Sequence, residues 1–159
     1  MATTTEIPPI VKSVRVRARP EHAFAVFTTN VIKWWPPAYT IGQSPMKEVV
    51  IEPRIGGRWF EIGNNASECQ WGDVLAWNPP SGLTLAWRIG MNWASDPSLL
   101  TEVEMSFKDI GGGETEVRIN HSKFENYGQD AEKALQIFDG WSSILGRFAN
   151  VTQGLPPDS

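Results

Sequence analysis

Two side chains that could do acid–base chemistry, His121 and Glu61, fall on predicted strands whose other inward positions are apolar. His121 alternates with Val117 and Ile119, so all three side chains are expected on the inner face of one strand. An inward histidine could bind a polar ligand group or act as an acid or base near neutral pH. We favour the alternative of a core histidine whose ring is satisfied by the backbone or a nearby hydroxyl.

Glu61 follows Trp59 by two residues, so both side chains share one face of a strand. If that face is the concave one, the carboxylate lies among aromatic rings and could fix a ligand amine or hydroxyl. If it is the outer one, both residues face solvent or pair with Arg58 or Arg88. The sequence leaves these two arrangements open.

No spacing typical of a catalytic or metal-binding motif is present. Cys69 is the only cysteine, and the two histidines, His22 and His121, lie far apart, so neither a metal nor another cofactor is expected. The chain contains no nucleophile elbow, Walker A or dinucleotide-binding sequence. The glycines at 111–113 precede a strand without a phosphate-loop lysine, which predicts a hairpin tip. We therefore predict no catalytic residue.

The eight tryptophans predict an aromatic interior. Trp59 and Trp87 on strands and Trp141 on the last helix are expected either to line a cavity or to fill it. One of Trp34 and Trp35 is expected to be exposed as a gate at the mouth. The residues expected near a ligand are Trp59, Glu61, Trp87, Val103, Met105, His121, Phe138 and Trp141.

Charge and composition exclude several classes of partner. The 14 Lys and Arg against 18 Asp and Glu give a net charge of −4, which argues against binding to nucleic acid or to an anionic membrane. No apolar run is long enough to span a bilayer. A lone cysteine and the lack of a signal-peptide pattern predict a cytoplasmic protein.

A series of strands and helices is predicted to position these residues. Val31–Trp35 and the segment that begins at Pro20 are predicted to be short helices, the former stopped by Pro36 and Pro37. Short turns between consecutive strands predict an antiparallel sheet. The strands are predicted at 10–17, 47–52, 58–62, 68–77, 83–90, 100–110 and 115–121.

A long amphipathic helix is predicted from Tyr127 to Val151. Gly140 interrupts it at a cost of roughly 1 kcal/mol relative to Ala, which suggests a close approach to the sheet or the border of an open space. We predict one domain over residues 10–151 with flexible termini at 1–9 and 152–159. The apolar stripe of the helix consists of Ala134, Phe138, Trp141, Leu145 and Phe148.

Several segments along the chain match, in order and spacing, the pattern of a known family. They are Ala25–Thr28, Pro53–Glu61, Trp71–Leu75 with Pro79 and Pro80, Leu83–Arg88, Thr115–Val117 leading to His121, and Gly140 with Trp141. Together they resemble the branch of the START-like (Bet v 1-like, SRPBCC) superfamily that is similar to the activator of Hsp90 ATPase. The resemblance covers about residues 10–151, and the chain differs from the family pattern at Ser122–Phe124 and Gly90–Leu99.

The resemblance implies an α+β helix-grip fold, in which a curved antiparallel sheet wraps around a long C-terminal helix and two short helices follow the first strand. It implies binding of a small molecule or association with a chaperone, and no common set of catalytic residues. Our leading hypothesis is non-catalytic binding of a hydrophobic, aromatic or acyl, molecule between sheet and helix. The alternatives are a chaperone-associated interaction module and a cyclase- or hydrolase-like enzyme, and the chain could form a homodimer.

Overall fold

Seven antiparallel strands form one curled sheet in the order β1-β7-β6-β5-β4-β3-β2. The computed structural model describes residues 7–158; residues 1–6 of the predicted N-terminal lead-in, and Ser159, lie outside the described residues. The strands are β1 (Ile10–Val16), β2 (Met46–Ile51), β3 (Arg58–Gly63), β4 (Glu68–Asn78), β5 (Gly82–Trp87), β6 (Thr101–Gly111) and β7 (Glu114–Ser122).

Alternation along β5, β6 and β7 sends one set of side chains into the core. Val103 pairs with Leu85 on one side and with His121 on the other, and none of these three side chains has measurable exposure. The predicted inward direction of His121 is confirmed. Because the side-chain period is two, a register shift of one residue would turn His121 outward.

Two short helices follow β1, as predicted: α1 (Pro20–Thr29) and α2 (Val31–Trp34). Pro20 occupies the first turn of α1, where its missing N–H costs nothing. The expectation that one of Trp34 and Trp35 is exposed is wrong, since both are buried. Trp34 packs edge-on against Phe148, with ring centroids 5.4 Å apart, and this contact draws the end of α2 into the core.

The single helix predicted from Tyr127 to Val151 is instead three segments: a 3₁₀ turn (Phe124–Asp130), α3 (Ala131–Ile137) and α4 (Trp141–Thr152). Gly128, with a φ of 66°, makes a kink inside the first segment, and the chain leaves the helical hydrogen-bond pattern after Phe138. The predicted apolar stripe is confirmed even so, because all five of its side chains are buried. The helix-grip architecture holds, with a broken helix against the sheet.

Gly140 lies at the break between α3 and α4, where Tyr39 approaches the backbone. A Cβ at this position would lie 2.9 Å from the Tyr39 hydroxyl oxygen and 3.1 Å from its ring. A side chain at position 140 would therefore displace the Tyr39 ring. None of the helices within residues 7–158 is long and apolar enough to cross a membrane.

The turn after β7 contains Lys123 in a left-handed conformation with φ 68°. Glycine adopts that conformation without steric cost, whereas lysine does not. The Lys123 ammonium lies 2.6 Å from the Glu102 carboxylate on β6. This ion pair connects the turn to strand β6.

Trp141→Ala is expected to lower the free energy of unfolding by about 3–5 kcal/mol, the range for truncating a buried aromatic residue. The indole is 2% exposed and joins α4 to the sheet through a hydrogen bond to His121. Urea unfolding measures the loss, and Trp141→Phe, which keeps a ring, should lose clearly less. An unchanged denaturation midpoint in Trp141→Ala would show that this side chain is peripheral.

Candidate functional site

An aromatic cleft lies between the sheet and the break that separates α3 from α4. About 20 Å³ of it is open to water, which is room for about one molecule. Pockets that hold drug-sized ligands measure about 300–1,000 Å³. The aromatic side chains therefore nearly fill the space between the sheet and the helices. The cleft is lined by Trp35, Tyr39, Trp87, Trp93, Ile137, Phe138, Gly140, Trp141 and Ile144.

Trp93 covers the mouth of the cleft from the loop between β5 and β6. Its ring stacks on Tyr39, with centroids 6.2 Å apart, and meets Phe138 edge-on at 5.1 Å. Its φ of 57° is left-handed, which costs a side chain of this size roughly 1–2 kcal/mol. The aromatic contacts with Tyr39 and Phe138 hold the residue in this strained position.

The opposite side of the mouth, the segment from Tyr39 to Ile41, is held by two buried groups. The Trp35 indole donates to the Tyr39 carbonyl at 2.8 Å. Glu61 accepts from the Thr40 hydroxyl at 2.5 Å and from the Ile41 amide at 2.7 Å. These bonds fix the Tyr39 ring against Gly140.

Glu61 lies inside the protein, so the open question about its strand face is resolved. It is 1% exposed, and Trp59 is 2% exposed, which contradicts the solvent-facing alternative. Its third hydrogen bond comes from the Trp71 indole at 2.9 Å. A buried carboxylate is tolerated when hydrogen-bond donors replace its water, and here all three donors belong to the protein.

His121 is a fully buried core histidine. The Trp141 indole donates to its Nδ1 at 3.1 Å, so the ring proton must sit on Nε2. Nε2 then donates to the Thr101 hydroxyl at 2.9 Å, and Thr101 donates onward to the Trp87 carbonyl. Both ring nitrogens are therefore satisfied by the protein. Burial lowers the pKa of His121 from 6.5 to about 3, which keeps the ring neutral.

Two further titratable groups are held in their neutral forms. Burial, reinforced by the nearby Glu61 charge, raises the pKa of the Cys69 thiol, which is the reverse of what a nucleophilic cysteine requires. Burial raises the pKa of Tyr127, whose hydroxyl donates to the Ile89 carbonyl at 2.8 Å. No group of acidic, histidine or cysteine side chains within residues 7–158 could hold a metal ion.

The residues expected near a ligand fall into two layers. Trp87, Phe138 and Trp141 line the cleft. The other five are buried and do not line the cleft, and a ligand contact with any of the eight residues remains a prediction. The residues of this second layer are Trp59, Glu61, Val103, Met105 and His121.

Most of the residues at the mouth of the cleft were not predicted from the sequence. Tyr39 and Trp93 lie in loops, where no periodicity marks the direction of a side chain. Trp35 was considered as an exposed gate, yet it forms the inner wall. The one usable signal was a tryptophan, Trp93, within the segment Gly90–Leu99 that differs from the pattern of the resemblance.

Comparison with known proteins gives a consistent result for the whole chain. The family model described as Activator of Hsp90 ATPase homolog 1-like protein matches residues 17–153. No protein with a curated description matches the chain.

Solved structures extend the comparison. The anthrahydroquino-gamma-pyrone synthase Txn09, solved in complex with SUM, is 39% identical over 92% of this chain and 97% of that chain, with a TM-score of 0.66. CalC, a self-sacrificing resistance protein from Micromonospora echinospora, is 27% identical over 93% of this chain and 96% of that chain, with a TM-score of 0.72. The Aha1 dimer from Colwellia psychrerythraea is 16% identical over 91% and 96% of the two chains, with a TM-score of 0.62, and shares the fold.

Acid is expected to remove the contribution of His121 to stability. The pKa of His121 is 6.5 in the unfolded chain and about 3 in the folded protein. Between these two pH values the imidazole is protonated in the unfolded chain and neutral in the folded protein. The contribution is therefore complete above pH 6.5 and falls as the pH approaches 3, by about 1.4 kcal/mol per pH unit.

Urea unfolding of wild type and His121→Gln between about pH 7.5 and about pH 4.5 tests this expectation. The difference between the two free energies of unfolding should shrink by about 2–3 kcal/mol on acidification, because the other titrating groups cancel. A difference that stays constant with pH would mean that His121 takes up a proton in the folded state.

Proposed function

The chain belongs to the family of Activator of Hsp90 ATPase homolog 1-like proteins, in the START-like superfamily, and on that premise we propose that it binds a planar aromatic small molecule in the cleft between the sheet and helices α3 and α4. The observation that carries the proposal is the composition of the cleft wall. Most of the lining residues are aromatic, and Tyr39 supplies the one hydroxyl among them. Such a wall favours a flat apolar ligand over a charged or flexible one.

The packing of the lining rings supports a flat ligand. Trp87 meets Phe138 edge-on, with centroids 5.4 Å apart, and lies 6.2 Å from Trp141. Trp35 meets Trp141 at 5.9 Å. A further aromatic system can pack against rings in such a cluster, either edge-to-face or in an offset stack.

Entry of a ligand requires the loop that carries Trp93 to move. The loop is closed on itself, since the Gly90 amide donates to the Ala94 carbonyl and the Trp93 amide donates to the Gly90 carbonyl, both at 2.9 Å. A turn of this kind can swing as a unit without losing its internal hydrogen bonds. The contacts that it would give up are those of the Trp93 ring with Tyr39 and Phe138.

The comparison structures support the choice of ligand class. The 39% identical relative is named as a synthase of an anthrahydroquino-gamma-pyrone, a name that describes fused aromatic rings. A ligand of that class matches an aromatic cleft in shape and polarity. We therefore assign the proposed ligand to fused-ring aromatic compounds of the polyketide type.

The same relative favours a second candidate function, a ring-closing reaction on such a compound. The cleft would then act by holding the substrate in a folded conformation, since the aromatic wall offers few polar groups for proton transfer. Formation of a cyclised product by the purified protein would distinguish turnover from binding. Association with a chaperone and formation of a homodimer remain predictions, because the Aha1 dimer shares only the fold.

Narrowing the mouth should abolish binding. Ile137 lies at the rim and is 37% exposed, so Ile137→Trp can obstruct the cleft without overpacking the core. Its matched control is Ile110→Trp, at a residue 38% exposed at the far end of β6. Calorimetric titration with xanthone and 1,8-dihydroxyanthraquinone should show affinity at least about tenfold lower for Ile137→Trp and unchanged for the control. Equal affinities in both variants would place the ligand elsewhere.

Removing the Trp93 ring should increase the rate at which a ligand enters the cleft. Trp93→Ala eliminates the ring that seals the mouth, so the association rate measured by stopped-flow fluorescence should rise by about tenfold or more. Trp93→Phe retains an aromatic cover and should associate at nearly the wild-type rate. A slower or weaker Trp93→Ala would show that Trp93 is a platform for the ligand.

A further inference from the structure

Six of the eight tryptophans are buried, and the protein supplies acceptors for four of their indole N–H groups. Trp34 donates to Val26, Trp35 to Tyr39, Trp71 to Glu61 and Trp141 to His121. The Nε1 atoms of Trp59 and Trp87 have no hydrogen-bond partner among the described residues. A buried donor left without an acceptor costs free energy, so a pair of them in one cluster calls for a specific cause.

The two unpartnered indoles are neighbours at the inner end of the cleft. Their ring centroids are 5.7 Å apart. Trp87 is 4% exposed and lines the cleft, whereas Trp59 is 2% exposed and does not. Of the two indoles, Trp87 is therefore the one that a molecule in the cleft would contact.

No polar group around Trp87 within residues 7–158 accepts a hydrogen bond from its indole N–H. The Tyr127 hydroxyl lies close enough to the indole for Trp87 to oppose the rise in the tyrosine pKa. That hydroxyl donates its own proton to the Ile89 carbonyl, and the Trp87 N–H does not reach it with hydrogen-bond geometry. The other polar atoms nearby, those of Thr101 and His121, are engaged with each other.

We propose that the Trp87 N–H is a specificity determinant that donates a hydrogen bond to an oxygen of the bound ligand. The ligand is then an oxygenated fused-ring aromatic compound, a ketone, quinone or pyrone, and not a plain aromatic hydrocarbon. This inference rests on the proposed function, since it names the polar contact made within the same cleft. A site built to satisfy a ligand acceptor discriminates against the analogue that lacks it, because the donor then stays unpaired.

Xanthone and xanthene form a matched pair of probes, because they share three fused rings and differ in a ketone against a methylene at the central carbon. Wild type should bind xanthone about tenfold or more tightly than xanthene in equilibrium dialysis. Trp87→Phe keeps a ring and removes the N–H, so it should weaken xanthone by about tenfold and change xanthene by less than about twofold. The carbonyl stretching band of bound xanthone should lie at lower wavenumber in wild type than in the variant.

Trp141→Phe is the control. It makes the same substitution in the cleft lining at an indole whose N–H is already bonded to His121. Its effect on the two probes should be equal, so the ratio of their affinities should stay at the wild-type value.

The outcomes separate the two proposals. Binding of both probes with equal affinity in wild type, or an equal loss of both in Trp87→Phe, would overturn the role of Trp87 and leave aromatic binding in the cleft intact. Failure of wild type to bind either probe would overturn the proposed function and this inference together. If Trp87→Phe does not fold, two wild-type measurements still test the role of Trp87. They are the ratio of xanthone affinity to xanthene affinity and the position of the carbonyl stretching band.

Discussion

Hydrogen bonds from four of the six buried indole N–H groups to protein acceptors organise the interior of this protein. Tryptophan contributes a large apolar area but carries a donor that usually finds a partner when it leaves water. The buried polar side chains Glu61 and His121 supply two of the acceptors, since each accepts from an indole. They also link elements that are distant in sequence. Glu61 joins β3 to β4 and to the Tyr39–Ile41 segment, and His121 joins β7 to β6 and to α4.

Glu61 and His121, the two residues whose chemistry most suggests catalysis, therefore have a positioning role. A carboxylate and an imidazole in an aromatic interior suggest acid–base catalysis when they are considered alone. Their hydrogen-bonding capacity is instead used by Thr40, Ile41 and Trp71 in one case, and by Trp141 and Thr101 in the other. The chemistry of the cleft therefore rests on its shape, its ring faces and the indole donors that stay unpaired.

The break between α3 and α4 creates the cleft. An uninterrupted helix would carry Phe138 and Trp141 along one straight stripe packed on the sheet. The break at Gly140 admits the Tyr39 ring against the backbone and lets Trp93 reach Phe138 from the other side. The mouth of the cleft is covered by two loop residues, Tyr39 and Trp93, and not by a strand of the sheet. The proposed entry of a ligand would therefore require movement of loops, with the packing of the sheet retained.

The sequence by itself determined the strand positions, the two short helices, the inward direction of His121 and the apolar stripe from Ala134 to Phe148, because each rests on a local periodicity that burial enforces. It could not determine the helix break, since the hydrophobic pattern continues across Gly140 and the ring that packs at the break, Tyr39, lies about a hundred residues earlier. It also could not determine whether Glu61 points inward or which indoles find acceptors. Those outcomes depend on which backbone and side-chain groups the curled sheet brings within hydrogen-bond distance, and only the tertiary structure decides that.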